Sequence, residues 1–361
     1  MANCTNCPQA RSKPRRWRAP RRDRPLSGIL NVDKPAGMTS HDVVDAVRRI
    51  VGQRKVGHAG TLDPLATGVL LVCLGQATRV AEYLMAGRKR YRAVIVLGAE
   101  TDTYDADGRI VRSGGRTDFS RAEIEAALAP FVGRIEQVPP VYSALKRGGQ
   151  PLYKLARRGE AVQPAPRPVE IDEIALLAWE PPELTVEVAC SPGTYIRSLA
   201  HDLGQRLGSG AYLGALVRLR SGRFRLEEAV SLERLEEAFR HGQGERYLLP
   251  LDHALLDLPA LIVGAEDARR IVHGQPVPAG PVGQGTVGQV SNLSKADGAV
   301  GRDGQVTNLP NQEQGTVGQV SNLSKANGAL GRAYNLDGDF LAVMAYDAAA
   351  GLWRPKKVFA T

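Results

Sequence analysis

The stretch on which the reading of this chain turns is Gly57-His58-Ala59-Gly60-Thr61-Leu62-Asp63-Pro64-Leu65-Ala66-Thr67-Gly68-Val69-Leu70. Glycines at 57, 60 and 68 permit positive φ or close approach of the backbone to another surface, and Pro64 biases Asp63 toward extended geometry. One carboxylate is therefore displayed on a shaped loop. The apolar run Val69-Leu70-Leu71-Val72-Cys73-Leu74 follows at once and reads as a buried strand or as the start of a core helix. A carboxylate on a loop anchored to the core is a common way to present a catalytic acid, base or nucleophile. An isolated Asp-Pro more often serves as a cap or turn, so residues elsewhere must decide between the two.

Before the loop, Gly28 to Pro35 predicts a short strand ending in a Lys34-Pro35-Ala36-Gly37 turn. Thr39 to Asp42 forms a capping-box pattern, and Val43, Val44, Val47, Ile50 and Val51 share one face of a helix over about 41–51. After the loop we expect a helical stretch to Met85, then the basic cluster Arg88-Lys89-Arg90-Tyr91-Arg92, with a strand beginning at Tyr91. Thr101 to Gly108 has the look of half an EF-hand loop. A loop started at Thr103 would end on Gly114 where calcium needs a bidentate glutamate, so calcium is rejected. Ser120 and Glu123 cap a further helix to about Leu128, which Pro130 ends. Val138 to Lys146 leads into an expected basic helix carrying Lys146, Arg147, Lys154, Arg157 and Arg158, a run that reads first as a solvated face.

Leu184, Val186, Val188 and Cys190 alternate on one side of a strand that enters Ser191-Pro192-Gly193-Thr194-Tyr195-Ile196-Arg197. Ile196, Leu199, Ala200, Leu203 and Leu207 then mark a helix with Arg197 in its first turn, where a cation opposes the helix dipole. Arg197 therefore calls for an acidic partner from elsewhere in the fold. Gly210 to Phe224 reads as loop and strand, with Arg218, Arg220 and Arg223 interleaved among leucines. Beyond about Leu256 the pattern becomes that of a small β-rich module, which is interrupted and resumes at Asp337 to Val343. The interruption holds an internal repeat: Gly285 to Ala296 recurs unchanged at 315–326, with a partial copy at Gly304 to Leu309. These copies are too few and too poor in apolar residues to build a solenoid, and they predict a mobile insertion at roughly 282–332.

At 361 residues, 43% apolar and 24% charged, the chain has room for two domains and an ordinary soluble composition, with no apolar stretch long enough to span a membrane. Four cysteines, two of them in apolar runs, argue against a disulfide framework and for a reducing, cytoplasmic setting. Cys4 and Cys7 have zinc-knuckle spacing without a second ligand pair nearby. The net charge of +9 is mostly local. Residues 1–25 contribute +7 of it, from eight basic residues and Asp23, which leaves +2 for the rest. With prolines at 8, 14 and 20 and no apolar core, residues 1–24 read as a disordered basic arm, neither a secretory signal nor a transit helix.

Taken together, the Gly57 to Leu70 loop, Lys89-Arg90-Tyr91, Thr101-Asp102-Thr103, Pro139 to Lys146 and Gly193 to Arg197 closely resemble the TruB-type family of bacterial tRNA pseudouridine synthases. The matching motifs run in order from about Gly28 to Leu219. The resemblance implies an α+β catalytic domain over 25–255, built on a mixed, largely antiparallel sheet with flanking helices, and a PUA-like RNA-binding module over 256–361 split by the insertion. It implies conversion of the uridine at tRNA position 55, in the T-loop, to pseudouridine. It places catalysis on Asp63, pairs Arg197 with that carboxylate, and sets Tyr91 against the target base. Tyr195 and Leu216 would line the uracil pocket, His58 would sit against RNA during base extrusion, and Lys34 would support the site from its Lys-Pro turn.

The chemistry fits those residue types. The glycosidic bond to N1 breaks, the uracil turns, and C5 rejoins the ribose, with no group lost and no redox change. No cofactor is needed. An oxygen nucleophile or base near the ribose is, and Asp63 could attack C1′ or take the C2′ proton. A base buried in a folded loop must be flipped out, and an aromatic face at Tyr91 with an apolar wall at Leu216 would hold it. Arg88, Lys89, Arg90 and Arg92 would contact the RNA backbone. The resemblance implies the T-arm of tRNA as the partner, with no membrane and no obligatory protein expected. The rival readings are a tRNA-binding folding chaperone with an idle loop and a guide-RNA-dependent synthase. Deleting residues 1–24 should weaken binding to all RNAs alike and flatten its dependence on salt, which filter binding over a salt series measures.

Overall fold

The computed structural model describes residues 25–143, 145–147, 150–151, 158, 164–279 and 326–359. The basic arm, the Cys4 and Cys7 pair, Lys154 and Arg157 of the expected basic helix, and the repeats at 285–296 and 315–325 lie outside the described residues.

The chain opens with β1 (Gly28–Lys34), helix α1 (Ser40–Val51), β2 (Val56–Ala59), β3 (Thr67–Leu74), helix α2 (Ala81–Ala86) and β4 (Lys89–Leu97). A hairpin of β5 (Ala99–Thr101) and β6 (Ile110–Ser113) precedes helix α3 (Arg121–Leu128) and β7 (Gly133–Gln137). Next come the short β8 (Lys146–Arg147) and β9 (Gln150–Pro151), then the long hairpin of β10 (Arg167–Glu180) and β11 (Glu183–Cys190). Helix α4 (Ile196–Leu207) leads to β12 (Ala211–Ser221), β13 (Phe224–Arg225), β14 (Val230–Ser231) and helix α5 (Leu232–Arg240). The tail contains β15 (Ala260–Ile262), helix α6 (Ala265–Val272), β16 (Val277–Pro278), β17 (Leu330–Tyr334), β18 (Phe340–Asp347) and β19 (Leu352–Val358).

Ten strands form one mixed sheet with the path β14-β1-β3-β12-β4-β11-β10-β7, β13 pairing with β12 and β2 with β3. Only the pairings of β1 with β14 and β12 with β3 are parallel among the described strands of this sheet. A separate five-stranded sheet, β15-β17-β18-β19-β16, makes the tail module. The fold is thus α+β, a large mixed sheet with flanking helices followed by a small β-rich module.

The continuous apolar run of β3 exists because both faces of that strand are covered, the circumstance in which a strand loses its apolar-polar alternation. Leu70, Val72 and Leu74 pack with Val43, Val44, Val47 and Ile50 of α1. Val69, Leu71 and Cys73 pack with Leu84, Phe224 and Leu255, and also with Val343 and Phe359 of the tail module. The helix expected to follow shrinks to α2, because the apolar residues up to Leu74 are used as strand. Helices α1 and α3 begin where their capping boxes predict. Asp42 N donates to Thr39 Oγ1 at 3.1 Å and Thr39 N donates back to Asp42 Oδ2 at 2.8 Å, and Ser120 and Glu123 form the same reciprocal pair.

Two expectations are corrected. Lys146 and Arg147 lie in β8, paired with β9, and so do not start a helix. Strand β17 begins at Leu330, inside the span expected of the insertion, because the buried Ala333 and Tyr334 pair with β18 and complete the tail sheet. That module is fastened to the main sheet. Arg79 Nη1 donates to Val358 O at 2.6 Å, and Lys357 Nζ lies 3.0 Å from Glu82 Oε1. No helix among the described residues is long and apolar enough to cross a membrane.

Gly68 sits where β3 passes β12, opposite Arg218, with φ of 94°. A Cβ there would stand 2.4 Å from Arg218 O, and the backbone conformation is one that L side chains avoid. Gly68→Ala should therefore cost about 2–3 kcal/mol of stability, measured by urea unfolding.

Candidate functional site

The loop between β2 and β3 carries Asp63, and buried side chains hold its backbone carbonyls. Arg218, 1% exposed on β12, donates from Nε to Val69 O at 2.7 Å, from Nη2 to Gly60 O at 3.1 Å and from Nη1 to Thr61 O at 3.4 Å. Lys34, wholly buried at the end of β1, donates from Nζ to Ala66 O at 2.6 Å, Pro35 O at 2.9 Å and Pro64 O at 3.2 Å. Ser40 at the start of α1 both accepts from Leu62 N at 2.8 Å and donates to Leu62 O at 3.1 Å. Loop carbonyls that would otherwise be orphaned in the interior are thus paired, which fixes the path of the chain around Asp63.

Arg197 meets Asp63 across 134 positions of sequence. Its Nη2 donates to Asp63 Oδ1 at 3.1 Å and its Nε lies 3.0 Å from Oδ2. The arginine side chain is 5% exposed and the carboxylate 34%, so the pair is anchored on the protein side and open on the other. The rest of the guanidinium is also occupied. Nη1 donates to Thr103 O at 3.1 Å and lies 3.5 Å from Asp105 Oδ2, and Nη2 donates to Tyr142 O at 2.9 Å. The cation expected to need one acid thus has two. Asp105 is itself buried, which pushes its pKa upward against the hydrogen bond from Thr103 and the charge of Arg197. The acidic run that resembles half a calcium loop therefore folds as a turn that grips an arginine.

The start of α4 is held from a distance. Tyr195, its N-cap, has no side-chain cap of its own, but Gln137 at the end of β7 accepts from Tyr195 N at 2.8 Å and donates to Tyr195 O at 3.0 Å. Ser198 Oγ donates to Val138 O at 2.7 Å. The Tyr195 phenol has Ser143, Arg197 and Asp63 as its polar surroundings, and burial raises its pKa. Tyr91 faces inward from β4 and packs in one cluster with Leu62, Ala66 and Leu216. Its phenol lies near Arg218 and Asp63, and burial raises its pKa as well. Both tyrosines therefore stay neutral near pH 7. His58 on β2 has its pKa lowered, first by burial and then by the nearby Arg218 and His41, and its Nδ1 lacks a partner among the described residues.

The structure brings Asp63, Arg197, Tyr91, Tyr195, Leu216, Lys34 and His58 to one region, but it treats the basic cluster around Tyr91 differently. The strand period of two turns Lys89 and Tyr91 inward and leaves Arg88, Arg90 and Arg92 on the opposite face. Lys89 is 6% exposed and donates to Leu84 O, Met85 O and Gly87 O at 3.2, 3.3 and 2.7 Å, so it closes the end of α2 and cannot reach a phosphate. Burial lowers its pKa to about 8. Arg88 pairs with Glu170 at 2.6 Å and Asp172 at 3.0 Å, Arg90 with Glu187 at 2.7 Å and Glu173 at 3.2 Å, and Arg92 with Glu187 at 3.5 Å. These arginines are matched by carboxylates on β10 and β11.

Sequence reading passed over Arg218, Gln137, Asp105 and Ser40. Arg218 had a detectable signal: it stands two residues beyond Leu216, in phase with the buried side of β12 after a bulge between Leu213 and Ala215. Gln137 had none, because its partner is a backbone 58 residues away.

Comparison with known proteins finds matches over most of the chain. The TruB family pseudouridylate synthase N-terminal domain model matches residues 48–196, and the tRNA pseudouridylate synthase B C-terminal domain model matches 197–256. The tRNA pseudouridine synthase B of Syntrophotalea carbinolica is 51% identical over 251 residues, covering 70% of this chain and 82% of that protein. That of Pseudomonas aeruginosa is 48% identical over 259 residues, covering 71% and 85%. Among solved structures, a chain from the crystal structure of a Cbf5-Nop10-Gar1 complex superposes with a TM-score of 0.64 at 25% identity, covering 92% of this chain and 85% of that one.

Burial brings the Lys34 pKa from its ordinary 10.5 to about 8. Above that pH the amine has one donor fewer for the Pro35, Pro64 and Ala66 carbonyls, so turnover should fall as pH rises through about 8. The stability contribution of this group runs the other way. It is complete above the unfolded value of 10.5 and is lost as pH falls to about 8, since the unfolded chain binds the extra proton. A pH profile of turnover beside one of unfolding free energy should show the two trends diverge.

Proposed function

Since the chain belongs to the TruB family of pseudouridylate synthases and so isomerises uridine in tRNA to pseudouridine, we propose that its target is the uridine at position 55, in the T-loop, and that Asp63 performs the chemistry. The observation that supports this reading most directly is the two-point contact of Arg197 on a carboxylate that remains 34% exposed. An acid held in a fixed orientation on one side and open on the other is placed to meet a ribose carbon or its proton.

In this reading the target nucleotide leaves the T-loop stack and enters beside Asp63. The Tyr91 ring and the Leu216 side chain provide the flat and apolar walls for the uracil, and Tyr195 closes the pocket from the start of α4. His58 occupies the rim on β2 and stands against the RNA as the base turns out. Lys34 and Arg218 are positioning residues, because they hold the loop through its carbonyls. Asp63 then attacks C1′, or it takes the C2′ proton. On the first route the N1–C1′ bond breaks as the Asp63 ester forms, the freed uracil turns in the pocket, and C5 displaces the carboxylate from C1′. On the second the N1–C1′ bond breaks as C2′ gives its proton to Asp63, which returns it to C2′ when C5 bonds to C1′. In both, C5 then loses its proton and N1 gains one. Atoms and charge balance without a cofactor.

The structural neighbour named above was solved in a complex with Nop10 and Gar1. We propose that the present chain acts without protein partners on tRNA in the cytoplasm, in keeping with relatives that carry the tRNA synthase name at 48–51% identity. The purified chain should convert uridine 55 of a tRNA transcript with no added protein or guide RNA. Asp63→Asn should lower the single-turnover rate by at least ~10²–10⁴-fold while tRNA binding is kept. Deuterium at C2′ of the target uridine should slow the wild type only if Asp63 acts as the base. Full activity of Asp63→Asn would remove this residue from the reaction.

A further inference from the structure

Tyr104 is the non-glycine residue with positive φ among the described residues, at 64°. A tyrosine in the left-handed region is strained, and such strain persists only where the surroundings over-determine it. Those surroundings are specific. Leu213 N donates to Tyr104 O at 3.0 Å, and Ala106 N donates to Leu213 O at 2.9 Å, so β12 stitches the turn on both sides of the strained residue. The Tyr104 ring lies flat on the His201 imidazole, with centroids 3.9 Å apart and planes 11° from parallel. His201 stands one helical turn beyond Arg197 on α4, so the two project from the same face of that helix. The residues on either side of Tyr104 are those that hold Arg197, Thr103 through its carbonyl at 3.1 Å and Asp105 through its carboxylate at 3.5 Å.

We propose that the stack of Tyr104 on His201 is a positioning device for the isomerisation: it locks the 103–105 turn against α4 in the conformation that aims Thr103 O and Asp105 at Arg197. The approach of the guanidinium to Asp63 is set in consequence. The inference rests on the roles assigned to Asp63 and Arg197 above, and Tyr104 and His201 act through Arg197 without needing to touch RNA. Two flat rings stacked between a strained turn and a helix give the turn a fixed distance from α4. Hydrogen bonds from Leu213 and Ala106 alone fix only its position along β12.

The test is single-turnover pseudouridine formation with enzyme in excess over tRNA, alongside the tRNA dissociation constant and a far-ultraviolet check of folding for each variant. His201→Ala and Tyr104→Gly, the latter free of backbone strain but without a ring, should each slow the step by about tenfold while changing the dissociation constant by less than about twofold. His201→Phe keeps a flat ring and should stay within about twofold of the wild type. The double variant should be no slower than the slower single one, because both remove the same contact. Tyr104→Gly at the wild-type rate, His201→Phe as slow as His201→Ala, or a loss confined to tRNA affinity would each overturn the proposal. Should His201→Ala not fold, Tyr104→Gly and His201→Phe decide it between them. Asp63→Asn separates the two levels of argument. If it is fully active the reading of the site fails, whereas an inactive Asp63→Asn beside a full-rate Tyr104→Gly removes only the stack.

Discussion

A guanidinium taken almost wholly out of water has to find oxygen for its donors, and Arg197 finds it on three separate parts of the chain. Asp63 comes from the loop before β3, Thr103 and Asp105 from the turn after β5, and Tyr142 from the segment after β7. Burying such a charge costs several kcal/mol when it lacks partners, so the three segments are held together by the arginine as much as they hold it. The arrangement also answers the placement of a cation in the first turn of α4, where the helix dipole is unfavourable. Two carboxylates and two carbonyls outweigh a dipole effect of order 1 kcal/mol.

A second layer of buried cations does related work with different chemistry. Arg218 and Lys34 touch the Asp63 loop only through main-chain carbonyls, so neither competes for the carboxylate itself. The division keeps one face of Asp63 open while the loop beneath it is fixed. It also explains why Gly68 lies opposite Arg218. The crossing of β3 and β12 must be close for the arginine to reach back to Val69 and Gly60, and a side chain at that crossing would push the strands apart.

Elements whose signals are local were legible in the sequence. The capping boxes at Thr39 and Ser120, the alternation of Leu184 to Cys190, and the helical spacing from Ile196 to Leu207 each predict the element that forms there. The Val69 to Leu74 run stayed open between strand and helix, because burial on both faces erases the period that separates them. Within the site, the gathering of Asp63, Tyr91, Tyr195 and Arg197 followed from a constellation of motifs resembling a known family, since no local rule pairs residues 134 positions apart. What escaped was the set of contacts between a side chain and a distant backbone, such as Gln137 on Tyr195 and Arg218 on Gly60. Neither partner in such a contact carries a mark of it in its own neighbourhood.

The arginines flanking Tyr91 look like an RNA grip when read along the chain, yet each faces carboxylates on the neighbouring strands. That side of the sheet is therefore close to electrically silent, and a polyanion approaching it meets little net attraction. Long-range attraction of a polyanion depends on charges that are not matched in this way. A run of arginines is thus no measure of the local field until the carboxylates on the adjoining strands are counted against it.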